Sequence, residues 1–339
     1  MRIGIIAPNY YAEETGNAVT VRRIERQMRL LGCEVKVFPV DRLAGETLEA
    51  AVREFAPQIL HAFHAYLGGR MTHALSKVLG LPYLVTFTGT DIYRSLCDQR
   101  NLELHGALRG ASRLVAFHGC IKRRLAEHLP TLEERTTVIP QGVELPAEYG
   151  PIPAQGEGED FTFLLPAGLR PVKNVLFPLE ALAALHAVHP RVRLLLAGPV
   201  LDADYAAHVM EAFERYPFAR YLGVVGHESM GELYRSVDVV LNSSVSEGGM
   251  ANTVLEAMAY ARPLLVADIE GNRSIVKETV NGLLYRDADE FRAKAEHMLT
   301  DARLRERLGK QGRALVQENY PPDKEAKAYL SLYREILQS

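Results

Sequence analysis

The sequence contains no apolar run approaching the ~20 residues that cross a bilayer, which argues against a helical membrane protein. Its three cysteines, Cys33, Cys97 and Cys120, are odd in number, widely spaced and without a paired motif. That pattern suits free thiols in a reducing compartment better than a disulfide framework. Charge of one sign is not in excess either. Thirty-nine Lys and Arg face 42 Asp and Glu, and a formal net charge of −3 gives no support for a nucleic-acid partner. A Gly-x-Gly-x-x-Gly dinucleotide fingerprint is missing, and no histidine pair stands at metal-binding spacing with cysteines, which argues against a zinc site. The N-terminal stretch from Met1 to Pro8 reads as a short buried strand and lacks the length and cleavage pattern of a signal peptide. The expected location is cytoplasmic.

What is present is an ordinary globular composition, 47% apolar and 24% charged over 339 residues, enough for two α/β domains. Short apolar runs alternate with helical patterns, which argues for parallel sheets with crossover helices. In the first half Ile3–Pro8, Glu34–Val40, Ile59–Phe63, Tyr83–Thr88, Arg113–Phe117 and Thr137–Ile139 read as strands, and Ala18–Leu31 as a helix. Pro140-Gln-Gly-Val143 and the Pro, Gly and Glu-rich stretch Pro146–Asp160 read as a domain end and linker. The rhythm then restarts. Phe161–Pro166, Arg191–Ala197, Tyr221–Val225, Val237–Leu241 and Pro263–Ala267 are the strand candidates; Val175–Val188 and Tyr205–Arg215 are helices. An amphipathic helix near Lys324–Leu337 ends the chain. The expected fold is therefore α/β, with two Rossmann-like doubly wound domains facing across a cleft. The expected boundaries are 1–150 and 151–320, with residues 321–339 either capping the second domain or crossing back to the first.

The most informative stretch is Ser243-Ser-Val-Ser-Glu-Gly-Gly-Met-Ala-Asn-Thr-Val-Leu-Glu256, a strand end, a glycine-rich turn and a helix opening near Asn252. Such a turn aims backbone N–H groups and a helix dipole at one point, which favours an anion. Gly248 and Gly249 let the backbone approach a ligand without a Cβ in the way. Glu247 and Glu256 would repel a bare phosphate, but they suit a ligand that carries hydroxyls beside its phosphates. Two solvated glutamates on an ordinary strand–turn–helix connection are the plainer alternative. After the first strand of the second half, Gly168-Leu-Arg-Pro-Val-Lys173 places Arg170 and Lys173 on a strand-end loop, where they could neutralise a diphosphate.

These motifs, with Leu255-Glu-Ala-Met258, Asn281-Gly-Leu-Leu284, Thr15-Gly-Asn-Ala-Val-Thr20 and Gly89-Thr-Asp91, resemble retaining family-4 glycosyltransferases of the GT-B fold. The nearest subgroup is the glycosyltransferase 1 domain-containing proteins. The resemblance spans nearly the whole chain and implies sugar transfer from a nucleotide-diphosphate donor, UDP-sugar favoured, with retention. It implies that Arg170 and Lys173 hold the diphosphate, Glu256 the ribose hydroxyls and Glu247 the hydroxyls of the transferred sugar. The loop at Gly168 and the turn amides of Gly248, Gly249, Met250 and Ala251, continuing into Asn252 and Thr253, would surround phosphate and sugar. Gly16 and Asn17 would let the acceptor-side domain approach the donor, and the stretch 223–227, with Gly226, would line the base pocket. The acceptor and the oligomeric state are left open.

The resemblance departs from the family pattern in two places. Eight residues separate Glu247 from Glu256 where seven are usual. Thr88 stands where the family often has a histidine, which makes Asp91 the candidate for gripping a hydroxyl, against a helix cap before Ile92 as the alternative. His64, beyond the end of the third strand, is the histidine expected to face the cleft, ahead of His61 and His118.

No metal and no cofactor are expected. Asp202-Ala-Asp204 and Asp287-Ala-Asp289 match a short Asp-x-Asp pattern, but Asp202, Asp204 and Asp289 read more simply as helix starters. The helix carrying Arg22, Arg23, Arg26 and Arg29 reads as a solvated face rather than a membrane surface. Besides sugar transfer, a nucleotide-sugar epimerase or hydrolase of the same fold, or a binding module without turnover, remain open.

Overall fold

The computed structural model describes residues 1–11, 15–89, 91, 101–150, 160–247 and 249–338. Two compact units emerge. The first comprises Met1–Gly142, Gly248–Met250 and Pro322–Ser339; the second comprises Val143–Glu247 and Ala251–Pro321.

Among the described residues the first unit holds β1 (Arg2–Ala7), β2 (Glu34–Pro39), β3 (Ile59–Phe63), β4 (Tyr83–Thr86), β5 (Arg113–Ala116) and β6 (Thr136–Val138). They form one parallel sheet in the order β2-β1-β3-β4-β5-β6. The helices of this unit are α1 (Gly16–Leu30), α2 (Gly45–Phe55), α3 (Arg70–Leu79), α4 (Leu102–Gly110) and α5 (Gly119–His128). In the second unit the strands are β7 (Phe161–Pro166), β8 (Val192–Ala197), β9 (Ala219–Tyr221), β10 (Val239–Asn242), β11 (Leu264–Ala267) and β12 (Leu283–Tyr285). These too are parallel, in the order β12-β11-β10-β7-β8-β9. With them come α6 (Leu176–Val188), α7 (Ala203–Glu214), α8 (His227–Ser236), α9 (Asn252–Ala259), α10 (Glu270–Arg273), α11 (Ala288–Thr300) and α12 (Ala302–Asn319). The last helix, α13 (Pro322–Gln338), belongs to the first unit.

Both sheets are covered on two faces, so their strands are continuous apolar runs: Ile3, Ile5 and Ile6 of β1, and Phe161, Phe163 and Leu164 of β7, are fully buried. The strand order reverses between β1 and β3 in one unit and between β7 and β10 in the other. Doubly wound sheets bind ligands beyond the carboxyl ends of strands at such reversals. The loops after β7 and β10 are those that carry Arg170, Lys173, Glu247 and the glycine-rich turn.

Several elements end where local geometry, rather than apolar pattern, stops them. The strand expected over Tyr221–Val225 lies instead at Ala219–Tyr221. Leu222 N–H bonds Leu196 O at 2.8 Å and Gly198 N–H bonds Gly223 O at 2.9 Å, and Gly223 turns left-handed at φ 72°. Helix α11 is started by Asp287, whose side chain accepts from Glu290 N at 2.9 Å; Asp289, the expected starter, sits in the first turn. Asp202 does cap α7, accepting from Tyr205 N at 2.9 Å.

Helix α13 is held to the first unit by polar groups that the sequence reading placed elsewhere. Arg23, grouped there with a solvated stripe on α1, is 8% exposed and pairs with Glu325 through Nε–Oε2 at 2.8 Å and Nη2–Oε1 at 3.2 Å. His61 is fully buried, with Nδ1 2.7 Å from the Tyr333 hydroxyl and Nε2 2.7 Å from Thr86 Oγ1. Tyr329 adds a hydroxyl contact to Thr86 at 3.1 Å. Burial lowers the His61 pKa to about 3. The unfolded chain, with histidine near its ordinary ~6.5, then binds the proton first, so this contribution is complete above pH ~6.5 and is lost as pH falls toward 3. Urea unfolding at pH 7 and pH 5 should show a loss of about 2 kcal/mol from this group. A His61→Gln variant that keeps the full pH slope would rule this out.

Candidate functional site

The first wall of the site is the exit of β7. Gly198, at φ 154°, lies where a Cβ would fall 2.2 Å from Ala167 O, so only glycine lets the β8 exit touch the β7 exit. A Cβ on Gly168 would stand 2.7 Å from Leu201 Cδ1. This close packing brings Leu169 into a bridge with Val200 and projects Arg170 from extended backbone into a short 3-10 turn, Pro171–Lys173. Asn174, left-handed at φ 46°, ends the turn. Ser243 Oγ donates to Lys173 O at 2.8 Å and Val245 N to Val172 O at 3.0 Å, fastening the β10 exit to this loop.

Charge is distributed unevenly across these two loops. Lys173 Nζ lies 2.6 Å from Glu247 Oε1. The same oxygen accepts from Ser244 Oγ at 2.6 Å and from Asn242 Nδ2 at 3.2 Å. Burial raises the Glu247 pKa, but the Lys173 charge and the bonds from Lys173, Ser244 and Asn242 outweigh it, and the net direction is down. Glu247 is thus an ionised carboxylate with one oxygen saturated, and no described residue donates to its Oε2. Arg170 is the opposite case. Its Nε is buried and makes no hydrogen bond. A buried guanidinium N–H without a partner carries a desolvation cost, borne also by Arg305 Nε; what sets Arg170 apart is its place on the loop beyond β7, where a ligand could satisfy it.

The turn itself is described from Gly249 onward; Gly248 lies outside the described residues. Gly249 and Met250 belong to the first unit, where a Cβ on Gly249 would lie 3.0 Å from Phe117 Cδ2 and Met250 O accepts from Gln141 Nε2. Ala251 is the residue before α9, whose first two positions are Asn252 and Thr253, and its own side chain makes no capping bond. Glu256 follows one turn into α9. Its Oε2 accepts from the Tyr234 hydroxyl at 2.9 Å, a group that burial and the Glu256 carboxylate push well above the usual phenol range. Tyr234 stacks on Tyr260 with ring centroids 5.3 Å apart. Gly226 immediately precedes α8, with open space where a Cβ would be.

In the first unit Gly16 and Asn17 form the start of α1, capped by Thr15, whose Oγ1 accepts from Ala18 N at 3.4 Å. His64 opens a wide helical turn after β3 with φ 68°, a strained conformation for a non-glycine residue. It is buried, and its Nδ1 accepts from Leu67 N at 3.2 Å. Asp91 is also buried. It accepts from Ala65 N at 2.7 Å, Gly89 N at 2.7 Å and Thr88 N at 3.2 Å, so it clasps the exit of β3 to the exit of β4. The helix-cap alternative for Asp91 involves Ile92, outside the described residues, as is Cys97. Thr88 Oγ1 is buried without a hydrogen bond. His118 and Cys120 are buried against each other at the start of α5.

Sequence reasoning missed Tyr234 and Asn272. Both are polar groups on helices whose importance comes only from what the fold places beside them. Asn272 Nδ2 donates to Asn242 Oδ1 at 3.1 Å and to Ala267 O at 2.9 Å. Among the described residues no group of three or more His, Cys, Asp or Glu is placed to hold a metal ion, and no helix is long and apolar enough to cross a membrane.

The model of the Glycosyltransferase Family 4 domain matches residues 2–146, and that of the Glycosyl transferases group 1 domain matches residues 160–301. Glycosyltransferase 1 domain-containing protein 1 of Xenopus tropicalis is 26% identical over 330 residues, 94% of each chain. Among solved structures, the Anabaena protein HepE in complex with UDP and glucose superposes with a TM-score of 0.81 at 16% identity, covering 99% of this chain and 100% of that one. Sucrose-phosphate synthase from Thermosynechococcus elongatus gives 0.82 at 17% identity, covering 100% of this chain and 99% of the other. With one family domain on each doubly wound unit, the chain belongs to the group 1 and family 4 glycosyltransferases and has the GT-B fold.

Proposed function

We propose that the protein transfers a sugar from a nucleotide-diphosphate donor, a UDP-sugar in preference, to an acceptor hydroxyl or similar nucleophile with retention at the anomeric carbon. The observation that carries this reading is Arg170, a guanidinium with a buried unpaired Nε, beside the Lys173–Glu247 pair at the strand reversal of the second sheet. The preference for uridine leans on HepE, which was solved with UDP and with UDP-glucose.

In this reading Arg170 forks across the diphosphate. Lys173 keeps one N–H on Glu247 and turns others to phosphate. The start of α9, after Ala251 at Asn252 and Thr253, directs its helix dipole and backbone N–H groups to the same anion. All three contacts strengthen as charge builds on the departing diphosphate, which is where an enzyme gains rate. Glu256, steadied by Tyr234, takes the ribose hydroxyls. Glu247 is held ionised, so it accepts hydrogen bonds from the transferred sugar instead of protonating a leaving group. On the acceptor side, His64 and Asp91 are the groups assigned to the incoming nucleophile, with Asp91 acting through the loop around His64. Neither metal nor cofactor enters the scheme; Arg170, Lys173 and the helix start supply the positive charge.

Calorimetric titration of UDP-, GDP- and ADP-sugars in the presence of EDTA tests the donor site. One base class should bind, with unchanged affinity whether or not EDTA is present. Glu256→Ala should weaken that binding by about 10- to 100-fold, the worth of a hydrogen-bonded carboxylate. Failure of wild type to bind any of the three classes would remove the transferase reading. Binding without transfer to any acceptor would favour a nucleotide-sugar binding module.

A further inference from the structure

Glu247 is held by a chain of amides whose direction is fixed at its far end by the backbone. The carbonyl of Ala267, at the end of β11, can only accept, and it lies 2.9 Å from Asn272 Nδ2. That nitrogen must therefore be the NH2 of the side chain, and it donates onward to Asn242 Oδ1 at 3.1 Å. Ser244 N–H donates to the same Asn242 oxygen at 3.2 Å. With two donors on its oxygen, the Asn242 amide has one orientation, and its Nδ2 is turned onto Glu247 Oε1 at 3.2 Å. The Tyr285 hydroxyl donates to the backbone carbonyl of Asn242 at 3.3 Å and so holds the main chain beneath the amide.

The arrangement is costly, which suggests that something other than packing maintains it. Asn272 is fully buried, and its Oδ1 accepts no hydrogen bond. Burying an unsatisfied amide oxygen destabilises a fold, and an apolar side chain there would avoid the penalty. What the amide achieves is felt two residues away in the chain of bonds. Asn242, Ser244 and Lys173 together saturate Glu247 Oε1, while Oε2 receives no bond from any described residue. Oε2 is then an acceptor with a fixed direction and no freedom to exchange places with Oε1.

We propose that Asn242 and Asn272 are positioning residues that lock the Glu247 carboxylate, so that its free oxygen selects a donor carrying a sugar hydroxyl at that point. This rests on the donor reading of the site. The ligand it selects is the hydroxyl-bearing sugar of the nucleotide donor, as distinct from the nucleoside diphosphate, which Arg170, Lys173 and Glu256 hold without it.

The test compares dissociation constants for UDP, UDP-glucose, UDP-galactose and UDP-N-acetylglucosamine on wild type and on Asn272→Asp. The substitution keeps the side-chain shape but removes the donor that fixes Asn242. Wild type should bind its best UDP-sugar about 10-fold or more tighter than UDP, the increment expected of a hydrogen bond to a charged group. In Asn272→Asp that increment should collapse to about twofold or less while UDP affinity stays within about threefold of wild type. Asn242→Asp, which removes the donor to Glu247 directly, should do the same and serves if the first variant does not fold. A melting curve establishes folding of each. If either folded variant keeps the full sugar increment, or loses UDP and UDP-sugar affinity to the same extent, the locking role is wrong. Wild type that binds UDP but gains nothing from any of the sugars also overturns this inference alone. Wild type that binds none of UDP, GDP and ADP overturns the donor reading beneath it.

Discussion

Replacing Arg170 with methionine should reduce donor affinity by about 10²- to 10³-fold while leaving the protein as stable as before or slightly more so. The two halves of this expectation have one cause. A forked guanidinium makes two charge-assisted bonds to phosphate oxygens, each worth about 1.5–3 kcal/mol, and methionine makes none. Within the fold the same side chain has a buried Nε with no protein partner. Methionine keeps the length of the stem and removes the unsatisfied group, so folding loses nothing that Arg170 was contributing. Most buried charged residues behave in the reverse way, because their removal leaves a partner stranded. Calorimetry with the preferred nucleotide sugar and a thermal melt on the same preparation check both halves. A variant that binds normally would remove Arg170 from the diphosphate site. A variant that binds poorly but melts many degrees lower would mean that Arg170 serves the fold.

Lys173 should not show this separation. Its Nζ neutralises Glu247, whose side chain is only 12% exposed, and removing the lysine leaves that carboxylate without its cation. The contrast between two basic residues three positions apart follows from the partners the fold gives each one.

How much of this was legible in the sequence depends on the kind of signal. Strands such as β1, β7 and β8 were readable because a doubly covered parallel strand must be apolar at nearly every position. Their ends were less so: the apolar pattern runs on through Leu222 to Val225, but the left-handed Gly223 stops β9 at Tyr221. Arg170, Lys173, Glu247 and Glu256 stood out because charged residues in glycine-rich strand-end loops are chemically conspicuous. Tyr234 and Asn272 were not, since each reaches its partner only through the tertiary fold, 22 and 30 residues away in sequence. The histidines show the same limit from another side. His61 and His64 are three residues apart, yet one is a core residue bonded to Tyr333 across 272 residues of chain. The other occupies strained backbone at the sheet reversal.

Arg23 was misjudged for a related reason, and it yields the largest stability effect expected for this chain. On α1 it falls within a run of arginines, of which Arg22 is half-buried and Arg26 exposed, while Arg23 is buried with Thr20 and Ile24. Only the arrival of Glu325 on α13 makes a buried arginine tolerable there; the side chains of Arg23 and Glu325 are 7% and 1% exposed. Arg23→Ala should therefore cost about 3–5 kcal/mol, because it leaves a buried carboxylate with no cation. Glu325→Ala should cost a similar amount by stranding the guanidinium. The double variant Arg23→Met with Glu325→Leu should cost much less than the sum, because well-packed apolar side chains escape the desolvation penalty that the ion pair must offset. Urea unfolding of Arg23→Met, of Glu325→Leu and of the two together closes the cycle and measures the coupling directly. Single substitutions that cost under about 1 kcal/mol would show that the pair contributes no more than a surface salt bridge. A double variant as damaged as the singles combined would mean that the two residues act independently. The expected outcome makes the pair a device of placement. Tyr329, Tyr333 and Ile336 supply the apolar burial that holds α13, and the fork of Arg23 onto Glu325 fixes the register in which those side chains enter the core.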